Sequence, residues 1–268
     1  MRILLTNDDG FHAPGIEAMH AQLTGSTAHP EPLGEVYTVA PLTVQSATSH
    51  GITFHTPLMT TPARINGGEG VAVDGRPADC SKLALTNLWP ERYGVGSRPD
   101  LVVSGMNAGA NCGINVIYSG TVAAAIEAAF LGVPAIAVSL HIDKQAPDFT
   151  LGAIHARRAI DTLIAGGLPD RHEIVSINIP ATEFLCDDTP IEVCPMNTHA
   201  LVDQYERRTS PAGEHYYWST AYGLDFRSTD EGSDVHELFD RKITITPLSF
   251  DLTRHDRMAF WRDRIGGG

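Results

Sequence analysis

Two adjacent acids, Asp8 and Asp9, sit in the polar stretch Asn7-Asp8-Asp9-Gly10, directly behind the apolar run Ile3-Leu4-Leu5. Neighbouring carboxylates repel, and burying either is costly unless a cation or a proton compensates. The same residue types also form solvated turns, so the chemistry depends on what joins them. Ser46 follows in Thr43-Val44-Gln45-Ser46-Ala47, and Asn107 in the glycine-rich run from Gly105 to Gly113. Carboxylate, hydroxyl and amide oxygens together suit a hard cation such as Mg²⁺ or Mn²⁺. Zinc would more often recruit histidine or cysteine, and the 12 histidines show no H-x-x-x-H spacing. Ser119-Gly120-Thr121 precedes an alanine-rich stretch, so its N–H groups and hydroxyls point where an anion binds. N-capping by Ser119 or Thr121 is compatible with that role. The glycine-rich run lacks Gly-Lys-Ser/Thr and is not G-x-G-x-x-G, which leaves mononucleotide phosphate chemistry rather than ATP hydrolysis or dinucleotide redox.

These groups need elements that bring them to one rim. Ile3–Leu5 reads as a buried parallel strand, with the two aspartates at its carboxyl end, where open α/β sheets place their ligands. Ile16, Met19, His20 and Leu23 recur at helical spacing. Val36–Ala40 reads as a second strand, which puts Ser46 on the same rim. Ile52 to Arg64 reads as extended, Gly67–Gly70 as a hairpin tip and Val71–Val73 as a strand, with a helix from about Ala78 to Leu88. Asp100–Ser104 is a central strand running into Asn107. A helix over Val122–Leu131 ends at Gly132 and Pro134. Ala135–Ser139, a helix over 151–165 and Ile174–Ile179 continue the alternation, which predicts a layered α/β domain with a mostly parallel sheet. From Ile191 onward the texture changes to short extended runs, Ile191–Val193, His215–Trp218 and Lys242–Thr246, between charged loops. We divide the chain into a core over 1–185 and an extension over 186–268. The exposed strip Tyr216-Tyr217-Trp218 is expected to be covered by a partner subunit.

The totals narrow the class. The 268 residues are 43% apolar with net charge −13, spread as −7 over 1–185 and −6 over 186–268. Nothing in that balance favours a nucleic-acid duplex. A negative surface does not steer phosphate inward, so a phosphate site needs a local cation or a nest of N–H groups. Cys80, Cys112, Cys186 and Cys194 have no C-x-x-C spacing and read as reduced thiols. The apolar run after Arg2 is too short for a signal peptide, and no stretch reaches membrane-span length. A cytoplasmic enzyme with no membrane partner is the expectation.

At this point Asn7-Asp8-Asp9-Gly10 with Ala13-Pro14-Gly15-Ile16, Ala40-Pro41 with Gln45-Ser46, and Pro77-Ala78-Asp79-Cys80 carry a resemblance. With Pro99 to Asn111, Tyr118-Ser119-Gly120-Thr121-Val122, Tyr216-Tyr217-Trp218 and Ile245-Thr246-Pro247-Leu248, the chain resembles the SurE family of survival-protein nucleotidases over nearly its whole length. The resemblance implies a metal-dependent phosphatase acting on nucleoside 5′- and 3′-monophosphates. It also implies a Rossmann-like three-layer core and a C-terminal hairpin-and-helix extension exchanged within a homodimer or homotetramer. It places one divalent ion per subunit on Asp8, Asp9, Ser46 and Asn107, the four residues already reached from chemistry. On the substrate side stand Ser46, Asn111, Ser119, Gly120 and Thr121; the catalytic set is Asp8, Asp9, Asn107, Ser119 and Thr121. Two departures stand out: Leu42-Thr43-Val44-Gln45-Ser46-Ala47 stands where the family usually carries Asp-Arg and a small variable pair before the ligand serine and glycine after it, and Arg76 stands where threonine is usual.

The expected reaction is in-line attack by a water that the cation acidifies, with Ser119, Gly120 and Thr121 steadying the equatorial charge. One aspartate, Asp9 in our reading, orients or deprotonates that water. A covalent aspartyl-phosphate route is disfavoured because the Asp-x-Asp spacing is absent. Two readings from other classes remain at this stage, a non-catalytic metal and nucleotide-binding regulator and a nucleotide-sugar transferase.

Overall fold

A computed structural model of the chain describes residues 1–170, 172–220 and 223–266. Apolar runs bounded by turn residues form the sheet: β1 (Arg2–Thr6), β2 (Glu35–Pro41), β3 (Met59–Ile65), β4 (Gly68–Asp74), β5 (Leu101–Ala108), β6 (Ala135–Leu140), β7 (Ile174–Ile179) and the short β8 (Ile191–Val193). A hairpin of β9 (Tyr205–Thr209) and β10 (His215–Ser219) stands apart, and β11 (Ile243–Leu248) returns to the sheet. The helices are α1 (Pro14–Thr24), α2 (Pro77–Leu83), α3 (Trp89–Tyr93), α4 (Gly120–Phe130), α5 (Phe149–Ile164), α6 (Asp234–Phe239) and α7 (Met258–Gly266).

The nine strands of the main sheet run in the order β3-β4-β2-β1-β5-β6-β7-β11-β8. From β4 to β7 all pairings are parallel; β3 and β11 pair antiparallel at either side of that block. Alternation along the strands sorts the core into two layers. Ile3, Leu5, Val103, Val138 and Ile177 face α1 and α5. Leu4, Val102, Ala135 and Ala137 face α2 and α4, where the alanines of α4 permit close packing. The predicted three-layer α/β architecture with a mostly parallel sheet is what the chain adopts.

Differences concern lengths and the tail. The extended reading over 52–64 holds only from Met59, and β3 turns into β4 through Asn66-Gly67, whose φ values of 47° and 81° suit a two-residue hairpin. The predicted helix at 78–88 breaks into α2, a π-helical turn over Ala84–Leu88, and α3. Past residue 185 the chain does two things. β8 and β11 extend the main sheet, while the exposed β9–β10 hairpin and α7 lie outside it. α6 docks on the core through Val235 and Leu238, which pack with Cys112 near the end of the glycine-rich run. All four cysteines are free thiols. No helix among the described residues is long and apolar enough to cross a membrane.

Candidate active site

The carboxyl ends of β1, β2 and β5 open onto one cleft of about 670 Å³, which Asp8, Ser46, Asn107, Asn111 and Ser119 all line. The first loop is set by Asn7, whose buried amide donates to the Gly10 carbonyl at 2.8 Å. Gly10 has φ 105°, a left-handed conformation that favours glycine. Asp8 is only 5% exposed, and its Oδ1 accepts a 2.6 Å hydrogen bond from the Thr121 hydroxyl. Asp9 is half-buried, and its Oδ2 accepts from the Ala108 N–H at 2.7 Å. One oxygen of each carboxylate is thus fixed by the protein.

Ser46 rides on a loop pinned at many points. The Gln45 N–H donates to the Asp8 carbonyl at 2.7 Å, and Ser49 is held by the Ile117 and Tyr118 carbonyls at 2.8 and 3.1 Å. His50 meets Glu127 at 2.8 Å, and Thr53 is held twice by Asp79 at 2.9 and 2.7 Å. Ala47 has φ 55°, so the position where glycine is usual does adopt the left-handed conformation. Arg76, the other departure, lies against Gly51 of this loop and does not line the cleft.

Asn107 closes the strand β5. Its Nδ2 donates to the Gly109 carbonyl at 2.6 Å, which leaves the amide oxygen as the group to offer a cation. Asn111 is clamped by Asn178, which accepts from its N–H at 2.8 Å and donates to its carbonyl at 3.2 Å. The Asn111 amide also donates to Ser139 Oγ at 2.8 Å. Ser119 caps α4, its Oγ accepting from the Val122 N–H at 3.1 Å. Gly120 and Thr121 do not line the cleft but press on Asp8 from behind. The fully buried Thr121 hydroxyl is therefore committed to a carboxylate.

The cleft also has a half that the sequence did not point to, Asn115, His141, Asp143, Asp225 and Phe239, beside Tyr118 of the quoted Tyr118–Val122 motif. His141 immediately follows β6, and position at a parallel strand's carboxyl end was the one signal available for it. No lysine or arginine lines the cleft among the described residues.

Burial pushes the Asp8 carboxyl up from 3.8 to about 6; the Thr121 hydrogen bond pulls it down and the Asp9 charge pushes it up further. Burial raises Asp9 too, against the Ala108 N–H. Two adjacent acids, one buried and one half-buried, with no lysine or arginine lining the cleft among the described residues, are a donor set short of positive charge. Among the described residues no three His, Cys, Asp or Glu side chains gather, so the other donors here are hydroxyl and amide oxygens. That set fits a hard divalent cation.

A prediction follows from the Asp8 value. Its folded-state pKa lies above the unfolded one, so its contribution to stability is full below pH 3.8 and lost as pH rises through about 6. In chelator near neutral pH, Asp8→Asn should be more stable than the unsubstituted chain, by about 3 kcal/mol at most. The gap should close toward about pH 4 as Asp8 takes up its proton. Thermal melts in chelator across that range check this; equal melting near neutrality contradicts it.

Comparison with known proteins places these features. The family model described as "Survival protein SurE" matches residues 3–203. A 5′-nucleotidase SurE of Rhodopirellula baltica is 44% identical, over 98% of this chain and 98% of that protein. One from Nitratidesulfovibrio vulgaris is 40% identical over 96% of this chain and 90% of its own length. The crystal structure of the SurE protein from Aquifex aeolicus superposes with a TM-score of 0.80 at 30% identity, covering 99% of this chain and all of that one. With Asp8 of the acid pair, the serine loop and the glycine-rich strand end lining one cleft, Asp9 beside them on the Ala108 N–H, and relatives matched over nearly their whole length, the chain belongs to the SurE family.

Proposed function

We propose that the chain is a 5′-nucleotidase, a phosphomonoesterase that hydrolyses nucleoside 5′- and 3′-monophosphates to nucleoside and inorganic phosphate. The observation that carries this reading is the cleft itself: oxygen donors converge on it from several strand ends, and no lysine or arginine lines it among the described residues. A phosphate dianion entering it would meet carboxylates and neutral polar groups but no lysine or arginine among the described residues, so its binding needs a cation. In our reading Asp8, Asp9, Ser46 and Asn107 hold one Mg²⁺ or Mn²⁺ per subunit. Such an ion, when bound, offsets the carboxylates, polarises a phosphoryl oxygen and acidifies water.

The remaining work falls to the chain's own groups. Asp9 keeps one oxygen on the Ala108 N–H and has the other to orient water or take its proton. The Ser119 hydroxyl, whose oxygen already accepts from Val122, has its proton to donate to phosphate. The N–H groups of the first turn of α4, from Gly120 on, favour the charge developing on the equatorial oxygens. Asn111, clamped by Asn178 and with its amide NH2 donating to Ser139 and Thr121, shapes the wall of the cleft beside the ester. Thr121 acts on the reaction by holding Asp8.

Phosphate release with Mg²⁺ or Mn²⁺ tests this. AMP should be turned over many times, chelator should stop it, and a nucleotide sugar should yield no phosphate. Binding of AMP without release would make the chain a nucleotide-holding regulator instead. We further propose a cytoplasmic homodimer or homotetramer. The support is the β9–β10 hairpin, which leaves Tyr216, Tyr217 and Trp218 between 41% and 61% exposed outside the main sheet. Light scattering showing a monomer would contradict the assembly.

A further inference from the structure

The cleft has two chemically different halves. The half beneath β1, β5 and α4 carries the oxygen donors discussed above. The opposite half is formed by His141, just past β6, and Phe239, the last residue of α6, with Asp143 and Asp225 beside them. The two rings meet edge to face, with centroids 5.4 Å apart and planes at 83°. Phe239 is 53% exposed although it lines a cavity, so an aromatic surface is left open inside the cleft.

This surface is braced from behind. A smaller pocket of about 220 Å³ shares His141, Asp143 and Phe239 and is otherwise lined by Pro180, Ala181, Phe184, Leu238 and Arg241. There the Arg241 guanidinium covers the Phe184 ring at 4.1 Å. α6 itself is tied to the glycine-rich loop through the buried Asp234, which accepts from the Gly113 N–H at 2.7 Å and the Asn197 N–H at 2.8 Å. The start of α6, the helix that carries Phe239 at its end, is therefore anchored to the loop that carries Asn111.

Charge decides which part of a substrate fits here. Asp143 and Asp225 repel phosphate, and no lysine or arginine lines the cleft among the described residues. Burial holds His141 below its ordinary range, against the raising effect of Asp143 and Glu183, so its ring is neutral near pH 7. A flat, neutral π-system is what this half accepts. The geometry points to Phe239, with the His141 ring edge-on against it, as the platform on which the nucleobase of the substrate stacks, a role that rests on the nucleotidase reading above. Stacking is tolerant of base identity because every base has a π-face, and it is worth roughly 1–3 kcal/mol per base.

Steady-state kinetics on the intact chain test the platform with two esters, AMP and ribose 5-phosphate, which lacks the base. In Phe239→Ala the ratio of kcat/KM for AMP over ribose 5-phosphate should fall on the order of 10- to 100-fold, mainly through the KM for AMP. Phe239→Trp should restore most of the ratio, which a merely structural role would not require. A ratio unchanged in Phe239→Ala overturns the platform, whether neither ester is affected or both lose equally. So does a fall in the ratio in Tyr118→Ala with Phe239→Ala silent, since Tyr118 is another exposed aromatic of the cleft. Release from neither ester by the unsubstituted chain overturns the nucleotidase reading and the platform with it.

Discussion

Asp9→Asn should release phosphate from AMP about 10³-fold more slowly than the unsubstituted chain, even at saturating metal. The substitution keeps volume and shape, and an amide oxygen can still accept the Ala108 N–H that Asp9 accepts at 2.7 Å. What it removes is the second oxygen and its charge, replaced by an amide that donates protons toward the cation site. Because Asp9 is half-buried and burial raises its carboxyl, the fold gains rather than loses by neutralisation. A melting temperature at or above that of the unsubstituted chain, with lost turnover, is therefore the expected pair of results. Near-normal turnover would remove Asp9 from the site.

Gly120→Ala should be nearly as damaging although it adds a single methyl group. A Cβ at Gly120 would stand 2.9 Å from both Cβ and Oδ2 of Asp8 and 3.0 Å from Cγ of Pro77. Asp8 has little freedom to retreat, since its carbonyl holds the serine loop through Gln45 and its carboxylate holds Thr121. Overpacking of this kind costs about 1–3 kcal/mol and is relieved by moving the carboxylate or the start of α4. Either motion spoils the cation and phosphate positions, so turnover should fall on the order of 100-fold together with metal affinity. Alanine is the better helix former by about 1 kcal/mol, so a purely local effect would stabilise the chain and leave activity alone. Full activity with tight metal binding in Gly120→Ala would show that the packing of the helix start against Asp8 has no bearing on the proposed cation site.

The core was legible because its strands are short apolar runs that end in turn residues; Ile174–Ile179 was read to the residue. The convergence of Asp8, Ser46 and Asn107 on one cleft followed from a rule of topology, that parallel strands deliver their carboxyl ends to one rim. What could not be read is what depends on partners far along the chain. Ser119-Gly120-Thr121 reads equally as cap or phosphate loop, and only the fold shows the Thr121 hydroxyl spent on Asp8, 113 residues away. Asn178 lies within an apolar strand and gives no local sign that it clamps Asn111. The tail was harder still. β11 inserts between β7 and β8 rather than following a neighbour in sequence, and α6 is too short for helical periodicity to register.

The most direct measurement is calorimetric titration of Mn²⁺ into the chelator-treated chain and into Asp8→Asn. The unsubstituted chain should bind one ion per chain, and the substitution should weaken that binding at least about 100-fold, since one of only two carboxylates is lost. Binding of equal strength by both chains, or none by the unsubstituted one, would contradict a cation held between Asp8 and Asp9.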